Sequence, residues 1–333
     1  MTIRACRVLG SNPAAPASVT TMAEDDLPAA GVTVRIEYSS LNYKDALAVT
    51  GRGRILRRAP LTAGIDFAGH VERSEDARFT PGMQVVAGGM GLGELHDGGL
   101  AEMARVPGDW LMPLPEGLTA FEAMALGTAG FTAALSLELM ENCGQHPQQG
   151  PIVVTGATGG VGTVAVQMLS SRGYDVIAVS GRPKLSDYLR SMGAGAVVTP
   201  DALSLGHRPL ERARFGGAID TVGGVLLSRI LSHVAEWGNV VAVGLAGGTA
   251  LETTVHPFIL RGVSLLGASS ANCPMALREA IWQRMATDLK PPKLAEIVTA
   301  TIALEQVPDT AAALLDRRLH GRVVVAAGSD VRR

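Results

Sequence analysis

The sequence is short of aromatics, of charge and of cysteine, and each shortage removes a class of function. Of 333 residues only 4% are aromatic and 18% charged, against 47% hydrophobic. The core must therefore be aliphatic, and a disordered chain is excluded. Lysine and arginine number 29, aspartate and glutamate 31, for a formal net charge of -2. No overall cationic field exists to attract a phosphate backbone, so nucleic acid is not an expected partner. The three cysteines, Cys6, Cys143 and Cys273, are far apart and odd in number. That fits a reducing compartment better than a disulfide framework. A charge-free apolar run of membrane length is also missing: residues 120–139 include Glu122, Glu138 and two glycines. A span needs about 20 nearly charge-free residues, so this stretch reads as a buried helix with its neighbouring loop, and no membrane is expected. The first ten residues carry Arg4 and Arg7 without a signal-peptide core, which makes the cytoplasm the expected location.

The length exceeds what one hydrophobic core usually organises, so two domains are expected. In the first third, short apolar runs at 32–38, 66–72, 84–88 and 100–106 alternate with glycine and proline turns. This spacing predicts strands of a compact, partly antiparallel β-barrel. From Ile152 onward, β-branched runs at 152–155, 174–180, 196–199, 218–222, 239–243 and 263–268 are separated by helix-length segments. Such alternation predicts βαβ units and a doubly wound α/β sheet. The tail offers a helix around 311–315 and a last strand at 323–326. The expected division is 1–122 with 294–333 for the barrel domain, and 123–293 for the doubly wound domain.

Between the first strand of the second domain and its amphipathic helix lies Thr155-Gly156-Ala157-Thr158-Gly159-Gly160-Val161-Gly162. Phosphates bind where free backbone N–H groups and a helix N-terminus converge and side chains are absent. Gly159 and Gly160 supply that absence, and Gly162 lets the helix pack on the sheet. A ligand-free glycine turn is the alternative, but the strand before and the helix after point to a dinucleotide. An acidic residue at the end of the second strand would bind the ribose 2′-hydroxyl of NAD. The chain has Ser180-Gly181-Arg182 there, and a guanidinium beside a hydroxyl suits a 2′-phosphate. NADPH is therefore the expected cofactor; a solvated surface arginine is the plainer reading of Arg182.

Taken in order, Asn42-Tyr43-Lys44-Asp45, Gly64-Ile65-Asp66-Phe67-Ala68-Gly69, Gly127-Thr128-Ala129-Gly130-Phe131-Thr132-Ala133, the glycine turn, Asp220-Thr221-Val222-Gly223, Gly244-Leu245-Ala246-Gly247-Gly248 and Pro257-Phe258-Ile259-Leu260-Arg261-Gly262 resemble the zinc-free, quinone oxidoreductase-like medium-chain dehydrogenases/reductases over nearly the whole chain. The combination looks most like the acryloyl-CoA reductase subfamily. The resemblance implies a GroES-like catalytic domain beside the Rossmann domain, and NADPH-dependent reduction of the conjugated double bond of acryloyl-CoA. It implies cofactor contacts from Tyr43, Thr158, Gly159, Gly160, Val161, Ser180, Gly181, Arg182, Leu245, Ile259 and Ser270. Arg322 is a further candidate, with an exposed charge beside a strand as its alternative. Zinc-dependent relatives need cysteine and histidine ligands. Asn42 and Ile65 stand where two would be expected, so no metal is expected; His70 reads as structural. The segment 89–99 departs from the subfamily, having Met90 and Asp97 where relatives carry tryptophans, and Ser269 replaces a usual aspartate.

For an enoyl thioester, hydride addition at the β-carbon leaves an enolate that needs hydrogen-bond donors and a proton. Tyr43 is the first candidate donor, with Asn42 and Asp45 shaping the same loop and Asp66 near the cleft. Two alternatives stay open: Tyr43 packing on the nicotinamide ribose, and Asp66 capping a loop. A quinone is the rival substrate, and a non-catalytic NADPH-binding protein the rival class. The sixth strand, if exposed, would pair with its copy in a homodimer.

Overall fold

A computed structural model describes residues 1–328. In chain order the elements begin with β1 (Thr2–Val8), β2 (Ser18–Ala23), β3 (Val32–Ser40), α1 (Tyr43–Thr50), β4 (Leu61–Thr62), β5 (Asp66–Ser74), β6 (Gln84–Gly88), β7 (Met103–Val106) and β8 (Leu111–Pro113). Next come α2 (Ala120–Asn142), β9 (Ile152–Thr155), α3 (Gly160–Ser171), β10 (Val176–Val179), α4 (Ser186–Ser191), β11 (Ala196–Val198), β12 (Phe215–Asp220), α5 (Gly224–Ser232) and β13 (Val234–Ala242). The remainder is α6 (His256–Arg261), β14 (Ser264–Gly267), α7 (Met275–Ala286), α8 (Leu294–Ile297), β15 (Val298–Ala303), α9 (Val307–Leu315) and β16 (Arg322–Ala326).

Two compact units result. Among the described residues the first comprises 1–128, 271–286 and 294–328, and the second 129–270 with 287–293. The chain passes between them six residues later than the sequence suggests. Segment 271–286, expected in the dinucleotide domain, falls in the first unit. There the Met90 amide donates to Ala271 O at 3.1 Å, a contact between segments that periodicity cannot reveal.

In the first unit β2, β1 and β4 form an antiparallel sheet, and a seven-stranded sheet runs β15-β16-β3-β5-β6-β8 with β7 also on β3. Valines and isoleucines of β3 (Val32, Val34, Ile36) alternate inward to pack on Phe67, Val71 and Val85, the period-2 pattern that makes this segment a strand. β16 lies antiparallel on β3 with Val324 opposite Ser40, and β5 lies antiparallel on its other side with Phe67 opposite Ser39. That register brings Ser40, Asp66 and Arg322 to one end of three adjacent strands. β15, with its exposed alternate residues, has too weak a pattern to stand out and is held by pairing with β16.

In the second unit six parallel strands run β11-β10-β9-β12-β13-β14, the doubly wound order whose switch point lies between β9 and β12. Val153, Ala218 and Val240 of the central strands pack with Leu227, Ile230 and Leu231 of α5.

Helix α2 is long and apolar enough to cross a membrane, but 83% of its most apolar stretch is buried inside the protein. It is a core helix. It is also broken: Gly127 adopts φ 51°, ψ -156°, a conformation that costs glycine little and other residues much.

Candidate functional site

In the first unit, a polar cluster forms where the ends of β3, β5 and β16 meet the break in α2. The Asp66 carboxylate accepts four hydrogen bonds: from the Ser40 amide (3.2 Å) and hydroxyl (2.7 Å) on Oδ1, and from Asn42 Nδ2 (2.9 Å) and the Thr128 amide (2.8 Å) on Oδ2. Arg322 sits on the other side of the same two residues. Its Nη2 donates to Ser40 Oγ (2.7 Å), Nη1 to Asn42 Oδ1 (3.1 Å) and Nε to Ala125 O (3.0 Å). Ser40 Oγ thus accepts from the guanidinium and donates to the carboxylate, while Asn42 bridges the pair with its amide oxygen and nitrogen.

The break at Gly127 explains why opposite charges belong here. A helix end leaves carbonyls unpaired, and a helix start leaves amides unpaired. Arg322 takes the Ala125 carbonyl where the first stretch of α2 ends, and Asp66 takes the Thr128 amide where the next begins, each charge matching the local helix dipole. A Cβ on residue 127 would lie 2.6 Å from Ser40 Oγ and 2.7 Å from Arg322 Nη2, so only glycine fits.

Asn42 is the N-cap of α1, and Asp45, in its first turn, returns a bond: Oδ2 accepts the Asn42 amide at 2.9 Å and Oδ1 the Ile65 amide at 2.9 Å. The expected loop around Tyr43 is therefore the first turn of a helix, which starts at Asn42 and is tied by the Asp45 carboxylate accepting the Asn42 amide. Tyr43 follows the cap with its side chain outward, 51% exposed, whereas Asn42, Asp45, Asp66 and Arg322 are all buried.

Burial, reinforced by repulsion from Asp66, pushes the Asp45 carboxyl from its ordinary 3.8 up to about 7. A folded-state value above the unfolded one means that folding favours the protonated form. The resulting stability is fully present below pH 4 and is lost as pH rises through about 7. Urea midpoints of the wild type should accordingly fall between pH 4.5 and 7.5. The Asp45→Asn variant, which has no carboxyl to ionise, should lack that part of the slope; an identical slope in both proteins would remove Asp45 as its source.

In the second unit, β9 ends at Thr155 and the chain turns through Gly156 at φ 58° into α3, capped by Gly159. A Cβ on Gly162 would meet Gly156 O at 2.5 Å, so this glycine lets the helix seat on the turn. Thr155 Oγ1 donates to Asp220 Oδ1 (2.6 Å) and accepts the Thr221 amide (2.9 Å), and Thr221 Oγ1 donates to Thr155 O (2.9 Å). The carboxyl of Asp220, raised in pKa by its burial, also accepts the Gly223 amide at 2.6 Å. These bonds fix the start of the turn to the end of β12, at the switch point. The first-turn amides of Gly160, Val161 and Gly162 have no intrahelical partner, and a glycine-lined helix mouth is what a pyrophosphate requires.

Arg182 folds over that turn. Its Nη2 donates to Thr158 Oγ1 at 2.6 Å and its Nε to the same oxygen at 3.2 Å, while its amide donates to Ser180 Oγ at 3.1 Å. Thr158, Ser180 and Arg182, apart in sequence, are thus directly linked, beside Gly159, Gly160, Val161 and Gly181. Leu245 and Ile259 are exposed apolar side chains, 64% and 72% accessible, after β13 and on α6; Ser270 is half-buried at the end of the unit. Arg322 needs correction. Its reading as an exposed charge beside a strand is overturned: it is 2% exposed, because β16 carries it inward to the Gly127 break. Ser40 was not foreseen: its place in the cluster depends on the register of β16 on β3.

Two family models match the chain, the alcohol dehydrogenase GroES-like domain over residues 28–116 and the zinc-binding dehydrogenase model over residues 160–287. The acrylyl-CoA reductase AcuI of Ruegeria pomeroyi is 47% identical over 310 residues, 93% of this chain and 94% of its own. A crystal structure of the YhdH oxidoreductase from Salmonella enterica in complex with NADP matches with a TM-score of 0.93 at 47% identity, covering 98% of this chain and 100% of that one. The Bacillus subtilis protein YhfP, 48% identical over 92% of this chain and 93% of its own, carries a quinone oxidoreductase name. Its crystal structure with NAD bound matches with a TM-score of 0.94 at 45% identity, over 98% of this chain and 99% of that one. The residues here do not fit the zinc of the second family description. Asn42 spends its side chain on Asp66 and Arg322, Ile65 offers no ligand atom, and among the described residues no three of His, Cys, Asp and Glu group together.

Proposed function

The chain belongs to the medium-chain dehydrogenase/reductase superfamily, and on that premise we propose that it reduces the conjugated double bond of a short enoyl-CoA, such as acryloyl-CoA, with NADPH as cofactor. The observation that carries this reading is the guanidinium of Arg182 fixed on Thr158, which adds a cationic, multi-donor group for a 2′-phosphate to a glycine-lined pyrophosphate site. Bound there, NADPH supplies the hydride. Thr158, Gly159, Gly160 and Val161 would hold the diphosphate; Ser180, Gly181 and Arg182 would hold the phosphorylated ribose.

Tyr43 is the proposed donor to the enolate oxygen or the α-carbon, since its exposed hydroxyl stands on a first turn held rigid by Asn42 and Asp45. Asn42, Asp45, Asp66 and Arg322 then act as positioning residues rather than as groups that touch substrate. No step uses zinc. The free thiols of Cys6, Cys143 and Cys273 support a cytoplasmic enzyme. The outer strand β14, at the end of the six-stranded sheet, supports a homodimer through paired edges.

The name of YhfP favours a quinone as second reading. NADPH oxidation followed with acryloyl-CoA, crotonyl-CoA and a benzoquinone in parallel tests both. Turnover of the thioesters with kcat/KM well above that of the quinone is the expected result. A preference for the quinone overturns the assignment, and tight NADPH binding without turnover of any acceptor leaves a binding protein.

A further inference from the structure

Between α1 and β4 the chain places Arg52, Arg54, Arg57 and Arg58 within seven residues, all four exposed. In a chain of net charge -2 this is a local reversal of sign, and the loop that carries it is built rather than loose. Leu56 is fully buried in the first unit's core, with Ile55 and Ala59 packed against it. The Gly51 turn lies so close to Ala14 that a Cβ would meet its carbonyl oxygen at 2.4 Å. The Arg57 amide donates to Glu94 O and Arg58 Nε to Leu95 O, both at 2.8 Å.

Nearby acids are already committed. Asp316 is shared by Arg52 Nη1 (2.7 Å) and Arg318 Nη2 (3.3 Å), and the Glu94 carboxylate pairs with Lys44. Among the described residues, Arg54 and Arg57 have no carboxylate partner. Exposed guanidiniums without counter-charges, on a fixed backbone, form a site for phosphate oxygens.

The location specifies which phosphates. Tyr43 opens α1, which at 1.5 Å per residue is about 12 Å long, and the arginine loop follows its C-terminus. The loop also returns toward the start of the helix, since Glu94 touches Lys44 through its carboxylate and Arg57 through its carbonyl. An acyl-CoA has the same layout: a reactive thioester at one end, a pantetheine arm, and the 3′-phosphate and diphosphate at the other. A quinone has no such charged end. Resting on the enoyl-CoA reading above, we infer that Arg54 and Arg57, with Arg52 and Arg58 beside them, bind the phosphates of coenzyme A and so select a thioester over a free enone or quinone.

The test compares acryloyl-CoA, acryloyl-3′-dephospho-CoA and acryloyl-pantetheine as substrates of the wild type and of an Arg54→Gln/Arg57→Gln double variant. Both side chains are exposed, so the variant should fold. In the variant KM for acryloyl-CoA should rise about tenfold relative to KM for acryloyl-pantetheine, the size expected when two surface charge contacts are lost. The dephospho substrate should fall between. Raising ionic strength from about 0.05 M to 0.5 M should have the same selective effect on the wild type. An unchanged KM ratio in the variant overturns the phosphate site while leaving the enoyl-CoA reading intact. Failure of the wild type to turn over acryloyl-CoA overturns both.

Discussion

Replacing Arg322 with methionine should lower the free energy of unfolding by about 3–5 kcal/mol, the usual cost of removing one partner from a buried charge network. The guanidinium is fully buried, and burial pushes its pKa down against the opposing pull of Asp66 and Asp45. Methionine keeps much of the volume but leaves Ser40 Oγ, Asn42 Oδ1 and Ala125 O without their donor, and both aspartates without a counter-charge. Urea denaturation at pH 7 measures the loss. The double variant Asp66→Asn/Arg322→Met should lose less than the two single losses combined, since the charges act on each other through Ser40 and Asn42. Additive losses, or a cost below about 1 kcal/mol for Arg322→Met, would mean that the cluster is not a coupled unit.

Arg182→Ala should raise KM for NADPH about 10- to 100-fold more than KM for NADH. A hydrogen bond to a charged group contributes about 1.5–3 kcal/mol, and the guanidinium is the proposed partner of a 2′-phosphate that NADH does not carry. Its anchor on Thr158 Oγ1 also predicts that Thr158→Val weakens NADPH binding selectively, by freeing the arginine to move. The relatives make the comparison sharper, because one was crystallised with NADP and another with NAD. Equal effects of Arg182→Ala on the two coenzymes would remove Arg182 as the selecting residue, while leaving the pyrophosphate turn in place.

Much of the second unit was legible in the sequence, because its signals are local. Ile152–Thr155, the glycines after it and the apolar face of α3 are contiguous, and the end of β10 is found by counting one βα unit onward. Steric need fixes Gly162 within a few residues of its neighbour Gly156. The first unit was less legible. Its strands 32–40, 66–74 and 84–88 stand out by alternation, but β15 is held by its neighbour rather than by its own pattern. The arginines at 52–58 are plain as letters, whereas their exposure depends on Leu56 turning inward.

The sequence by itself determined the two-part α/β architecture and the glycine turn between β9 and α3, since each arises from residues close along the chain whose backbone freedom or periodicity acts locally. Only the tertiary structure decided that Arg322 is a buried counter-charge, that Ser40 links it to Asp66 and that Tyr43 stands exposed on a capped helix. Those roles arise where the ends of β3, β5 and β16 meet a broken helix. Hydrogen bonds between residues some 280 positions apart leave no periodic trace in the chain that makes them.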